Sequence, residues 1–177
     1  MFNDFMPKSQ IETDQIIINF LGDVKIKTPE DLILIRNKIH DSLEFRPYNE
    51  ETQEHADSVQ WKRTASEILK DKYVYKGRAC SDLVIVFIAL CKAANVEALL
   101  VKLIGVNIYG KEVGHSIAEV KLNSVWYTFD LSTKDSIPKE GELTDQSRYY
   151  KIYKVWKKGR DLWDLGLYDI SSEDKIK

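Results

Sequence analysis

Three residue types that together transfer acyl groups occur here in one suggestive chain order: Cys80, His115 and Asp130. Cys80 opens an almost unbroken apolar stretch, Ser81 to Ala94, that reads as a buried helix. A thiol at a helix N-terminus meets free backbone N–H groups and the positive end of the helix dipole, which favour the thiolate. Lys76 and Arg78 just upstream push the same way, and Asp82 opposes them. The competing reading is a buried, inert thiol, the common fate of a free cysteine. Cys91, mid-helix among apolar neighbours, takes that reading.

His115 and Asp130 fall on what reads as one hairpin, Val113 to Leu122 and Val125 to Leu131, turning at Asn123-Ser124. A two-residue turn pairs Leu122 with Val125, Val120 with Tyr127 and Ile117 with Asp130. One face then carries Ala118, Val120, Leu122, Val125, Tyr127 and Phe129, a core face. The other carries His115, Ile117, Glu119, Trp126, Thr128 and Asp130, so His115 and Asp130 are diagonal neighbours within hydrogen-bond reach. A turn longer by one residue would undo that parity, and a merely polar sheet face is the alternative. The roles follow from the chemistry. Cys80 attacks a carbonyl as thiolate, His115 moves the proton, and Asp130 holds the imidazole tautomer. The Cys80 N–H supplies one oxyanion donor, and Tyr75 and Trp61 are candidates for the second by chain position alone.

The elements that must position these groups can be read in outline. Gln15 to Phe20 is a short apolar run, a strand or a packing arm. Thr28-Pro29-Glu30-Asp31 is a helix start, and Leu32, Ile35, Ile39 and Leu43 continue it at helical spacing. Phe45 to Thr52 reads as a loop, and His55 to Lys72 as a second helix with Trp61 on its edge. Tyr73 to Ala79 is an irregular connection into the helix Cys80–Ala94, which Asn95 ends as a left-handed cap. Ala98 to Ile104 is close to a continuous apolar run, as a central strand should be, and Tyr109-Gly110-Lys111 reads as a turn. Residues 132–147 read as loop. The basic–aromatic stretch 148–160 packs its aromatics on the domain and solvates its lysines, and 161–166 is a packing clasp or a cleft wall. Residues 171–175 read as frayed, and His40 and His55 as surface residues. Helices followed by a sheet make an α+β fold.

Bulk composition narrows the function classes. The 177 residues, 44% hydrophobic and 31% charged, suit one soluble domain spanning 1–177. A net charge of −2 offers no field for nucleic acid or an anionic membrane. No stretch approaches the ~18–20 apolar residues that span a bilayer, and Met1-Phe2-Asn3-Asp4-Phe5 shows no export signal. The two cysteines share one helix, roughly 16 Å apart and beyond disulfide reach. Unpaired thiols without an export signal fit a reducing cytoplasm. Three histidines without metal-ligand spacing argue against a metal site, and no cofactor is expected. Oligomeric state is open.

The segments Gly77-Arg78-Ala79-Cys80-Ser81-Asp82, His115-Ser116-Ile117-Ala118-Glu119-Val120 and Trp126-Tyr127-Thr128-Phe129-Asp130, with the apolar helix and strand between them, resemble the transglutaminase-like core. The resemblance covers roughly residues 58–132, leaving an N-terminal helical extension at about 15–57 and a C-terminal one at about 133–177. Three positions depart from the family pattern. Two residues separate Gly77 from Cys80 where one is usual, Ile117 stands where Trp is common, and Leu131 replaces a usual Pro. These touch the pocket wall and loop shape more than the triad. The resemblance implies a papain-like fold, a Cys-bearing helix packed on an antiparallel sheet bearing His and Asp. It also implies a cysteine enzyme that acts on an amide or peptide bond of a protein or peptide through a thioester on Cys80. Hydrolysis (a cysteine protease or amidase) is expected over cross-linking. The alternative is an inactive, peptide-binding copy of the fold.

Overall fold

The computed structural model describes residues 9–176; the start of the chain, on which the export-signal expectation rests, lies outside them. The fold is α+β, with helices leading into an antiparallel sheet, as expected.

Helix α1, Gln15–Leu21, replaces the expected strand or arm. Asp14 caps it by accepting from the Ile16 and Ile17 N–H groups at 3.0 and 3.1 Å, and Ile17 and Leu21, four apart, face the core. A run of six residues, four of them apolar, is too short to carry a period, so helix and strand could not be told apart. Helix α2, Pro29–Ser42, starts as expected with a reciprocal Thr28–Asp31 capping box and Pro at its first turn. The second expected helix is in fact two, α3 (Gln53–Val59) and α4 (Ala65–Asp71). Between them Trp61 takes a left-handed conformation (φ +61°), and a second capping box, Thr64–Glu67, restarts the helix. Trp61 is accordingly buried rather than at a helix edge. The expected loop and connection around them contain short strands β1, Glu44–Arg46, and β2, Tyr73–Tyr75, paired in parallel.

Helix α5, Cys80–Ala93, is buried on nearly every side, from Leu83 through Cys91, and Asn95 (φ +57°) follows its end in the left-handed region. Each large apolar side chain so buried contributes about 1.5–3 kcal/mol, enough to fix this helix in the centre of the molecule. It packs on strands β3 (Ala98–Val106), β4 (Glu112–Leu122) and β5 (Val125–Phe129) through Leu100, Ala118, Val120, Leu122 and Phe129. Strands β6 (Lys139–Glu140) and β7 (Tyr153–Gly159) complete a sheet of order β6-β5-β4-β3-β7, antiparallel throughout. Asn123 and Ser124 both have positive φ (48° and 69°), the two-residue hairpin turn expected, and Leu122–Val125 and Val120–Tyr127 pair as expected. β5 ends at Phe129 opposite Ala118, so β4 from Glu112 to Ile117 runs on past it.

The hairpin's polar face is not solvated. Val101, Leu103 and Ile117 form a second apolar cluster covered by Leu143, Tyr149, Tyr153 and Val155. The basic–aromatic stretch packs Tyr149 and Tyr153 on the domain as expected, and part of it does so as strand β7. Residues 171–175, expected to fray, belong to a 3-10 helix, Ile170–Lys175, capped by Asp169. Segment 161–166 is a clasp. The Asp161 carboxylate accepts from the Ser9 hydroxyl and from the Gln10 N–H (2.9 Å), and the Trp163 indole donates to the Trp61 carbonyl at 2.9 Å. His40 is not a surface residue: it is buried, with Nε2 2.6 Å from the Leu131 carbonyl. His55 is exposed as expected, though its Nδ1 meets the Tyr75 hydroxyl at 2.6 Å. Among the described residues no helix is long and apolar enough to cross a membrane.

Candidate active site

The first turn of α5 presents Cys80 with no side chain capping its N–H groups, so the dipole end is open toward the sulfur. Two polar contacts fix that turn. The Ser81 and Ser116 hydroxyls meet at 2.9 Å, tying α5 to β4. Arg63, buried at the start of α4, binds Asp82 at 2.6 Å and Asp71 at 3.2 Å. The Asp82 carboxylate is thereby matched by a guanidinium and does not stand as a free charge against the thiol.

Because β4 extends beyond β5, His115 projects beside the end of α5, and Asp130 follows the last residue of β5. Asp130 is 3% exposed. Its Oδ2 accepts from His115 Nε2 at 2.8 Å and its Oδ1 from the Ser132 N–H at 2.9 Å. With Nε2 committed to the carboxylate, Nδ1 is the ring nitrogen left for the hydrogen bond between His115 and Cys80. Tyr153 and Tyr149 cover the imidazole, their ring centroids 5.6 and 6.5 Å away, and Tyr149 hydrogen-bonds Asp130. The three residues singled out in the sequence therefore meet in one chain of contacts.

Helix α2 holds the Asp130 segment from behind. His40 binds the Leu131 carbonyl, while Arg36 donates to the Thr133 carbonyl at 2.6 Å and the Ser136 carbonyl at 3.0 Å. The Ser136 hydroxyl in turn donates to the Asp130 carbonyl.

The electrostatics follow from these contacts. Burial pushes the Cys80 thiol up, but the hydrogen bond with His115, the Lys102 ammonium and the Ser116 N–H outweigh it, lowering the pKa to about 7. Burial opposes the imidazolium of His115, yet Asp130 and Cys80 raise its pKa to about 9. Burial raises the Asp130 carboxyl and His115 more than reverses this, leaving it below the ordinary range. The Cys91 thiol is pushed far up by burial. Between about 7 and 9 the favoured state is thus a thiolate–imidazolium pair.

The lysine that acts on the thiol is Lys102, not Lys76 or Arg78. Lys76 is exposed, and Arg78 turns to the Tyr48 hydroxyl (3.0 Å) and Asp57. Lys102 stands opposite Ser116 in the β3–β4 register, and its Nζ lies 3.4 Å from the Ser116 hydroxyl and 4.9 Å from the centre of the Trp61 ring. Its signal in the sequence was a single lysine interrupting the apolar run Ala98 to Ile104. The two oxyanion candidates part company. The Tyr75 hydroxyl is engaged by His55, whereas the Trp61 indole N–H is buried and without a partner. The backbone of Trp61 is held on the other side, where its carbonyl accepts from Gln10 and Trp163.

None of the curated proteins matches the sequence. Among solved structures, Legionella pneumophila LapG superposes with a TM-score of 0.50 at 14% identity, covering 90% of this chain and 84% of that one. Its EGTA-treated form gives 0.49 at 15% identity, covering 90% and 85%. A Cytophaga hutchinsonii protein described as a candidate cysteine protease gives 0.49 at 16% identity, covering 87% of this chain and 50% of that chain. The present chain thus spans half the length of that last protein. At these identities the likeness to LapG is one of fold. The sequence itself matches the family model described as the transglutaminase-like superfamily over residues 23–131, which takes in α2 as well as the segments from Cys80 to Asp130. The chain belongs to the transglutaminase-like superfamily.

Proposed function

We propose that this protein is a cysteine hydrolase that cleaves an amide or peptide bond in a protein or peptide through a thioester on Cys80. One observation carries the reading: a thiol lowered to about 7 is hydrogen-bonded to an imidazole raised to about 9, which a buried carboxylate holds by Nε2.

The Cys80 thiolate attacks the substrate carbonyl carbon, forming a C–S bond and moving the carbonyl electrons onto oxygen. The Cys80 N–H and the orphaned Trp61 indole N–H are the donors for that oxyanion. An unpartnered buried N–H costs about 1–3 kcal/mol, so an acceptor arriving only in the tetrahedral state is stabilised where the resting site is not. As the carbonyl re-forms, the C–N bond breaks and the proton on His115 Nδ1 passes to the departing amine. Neutral His115 then takes a proton from water, whose oxygen attacks the thioester. The C–S bond breaks, the acid departs, and the thiolate–imidazolium pair is restored. Asp130 keeps the Nε2–H tautomer throughout.

The test is to incubate wild-type protein and a Cys80→Ala variant with cell extract and read the mass on the Cys80 peptide. An acyl adduct on Cys80, discharged by hydroxylamine and missing from the variant, is the expected result. An unmodified Cys80 in every extract, with substrate retained non-covalently, favours the inactive binding module.

A further inference from the structure

Lys102 is 3% exposed in the middle of an apolar strand. A buried ammonium is costly unless its charge is met. Lys102 has one long hydrogen bond, to Ser116, and the face of Trp61; it has no carboxylate ion-pair partner among the described residues. The Cys80 thiolate is the anion that meets it, with Ser116 joining the two through its N–H to the sulfur and its hydroxyl to the amine.

Thioester formation removes that anion. When Cys80 is acylated the sulfur is neutral and His115 has given up its proton, so Lys102 loses its stronger counter-charge and keeps only the weaker pull of Glu173. Lys102 also lines a cavity of about 520 Å³ between the outer ends of β3 and β4 and the C-terminal 3-10 helix. Lys102 is its most deeply buried lining residue. Approach to the amine passes Gly114, where a Cβ would lie 3.5 Å from Nζ, so anything larger than alanine would cover it. Glu112, Glu173 and Asp174 line the cavity with Lys102 and Lys154, and of the three carboxylates Glu173, on the 3-10 helix, is the one that acts on Lys102.

We infer that this cavity is a substrate subsite in which Lys102 receives a carboxylate, so that the preferred substrates carry a negative charge beside the scissile bond. The inference rests on the thioester chemistry proposed above and adds the substrate class. A carboxylate held against Lys102 restores the charge balance that acylation removes, and so favours the acyl-enzyme of anionic substrates over neutral ones. The charge can come from an acidic side chain or from a free carboxyl terminus.

Iodoacetate and iodoacetamide, of nearly the same size and differing in charge, make the test on the intact protein. The expected ratio of Cys80 alkylation rates, acetate over amide, exceeds that of N-acetylcysteine. It falls roughly tenfold in Lys102→Met, the scale of one partly screened charge contact, and persists in Lys102→Arg. Exposed Glu173→Gln, which leaves the core untouched, raises the ratio. N-acetylglutamic acid α-amide and N-acetylalanine then serve as protectants against iodoacetamide. Protection by the first names an acidic side chain as the source, and protection by the second a free carboxyl terminus. Rapid labelling with a ratio no higher than that of N-acetylcysteine, a ratio indifferent to Lys102→Met and Glu173→Gln, or protection by neither compound overturns the subsite and leaves the nucleophile intact. Slow labelling by both reagents overturns the thioester reading itself.

Discussion

At the scale of single residues, a buried thiol ionises near neutrality only if several partners oppose the cost of burial. At Cys80 those partners are His115, Lys102 and the Ser116 backbone N–H, of which the two side chains can each be removed alone. Asp130→Asn keeps the shape of the carboxylate and removes its charge, so His115 loses the group that holds its tautomer and its proton. The expected result is turnover reduced roughly 10⁴-fold, with the Cys80 pKa climbing back toward the ordinary thiol value, read by pH-dependent alkylation. Trp61→Phe removes one indole N–H and keeps the ring over Lys102. It is expected to lower kcat about 10²–10³-fold with little change in KM, while alkylation of Cys80, which builds no oxyanion, proceeds at the wild-type rate. Equal loss in both assays would mean that Trp61 acts through the fold.

At the scale of elements, the site depends on how α5, β4 and the Asp130 segment are pinned together. Arg63 ties α4 and the first turn of α5 through Asp71 and Asp82. Arg63→Met strands a buried Asp82 carboxylate, and the expected loss is about 3–5 kcal/mol in denaturant unfolding. A loss below about 1 kcal/mol would show that water reaches Asp82. The elements bearing the triad were legible because their signals are local. Ser81 to Ala94 is too apolar to be anything but buried, and Asn123-Ser124 supplies the two positive φ values that set the hairpin register and hence the parity of His115 and Asp130. The break between α3 and α4 was missed although the Thr64–Glu67 box marks it. Trp61 sits in a left-handed conformation that nothing local favours, held by Gln10 and Trp163 from distant parts of the chain.

At the scale of the whole molecule, what the sequence hid is what tertiary contacts decide. Lys102 is one lysine within a nearly continuous apolar run, and only the packing of β4 and α5 places Ser116 and Cys80 beside it. His40 read as a surface group until the Leu131 carbonyl came within its reach, and strand β7 exists because Tyr149, Tyr153 and Val155 cover the far face of the sheet. Behind the site, the segments around Gln10 and Asp161 close on each other. Gln10 Oε1 accepts from the Leu162 N–H at 3.1 Å while its Nε2 donates to the Trp61 carbonyl. Asp161→Ala leaves the buried Gln10 N–H without an acceptor, with an expected cost of about 1–3 kcal/mol in thermal or denaturant unfolding and a fall in turnover as Trp61 loosens. Unchanged stability would show that the clasp is incidental to Trp61.

The central claim is that Cys80 rests as a thiolate paired with an imidazolium. The direct measurement is the rate of Cys80 modification by iodoacetamide from pH 5 to 10, with Cys91 as internal control. The thiol lowered to about 7 places the rise in rate around that pH, well under the ordinary value of 9.0. The imidazolium, held to about 9, adds a second inflection there as it loses its proton and the thiolate loses its partner. Cys91 stays unlabelled across the range, as burial raises its pKa and shields it. A single rise at the pH of a simple thiol, unchanged in His115→Ala, would contradict the account.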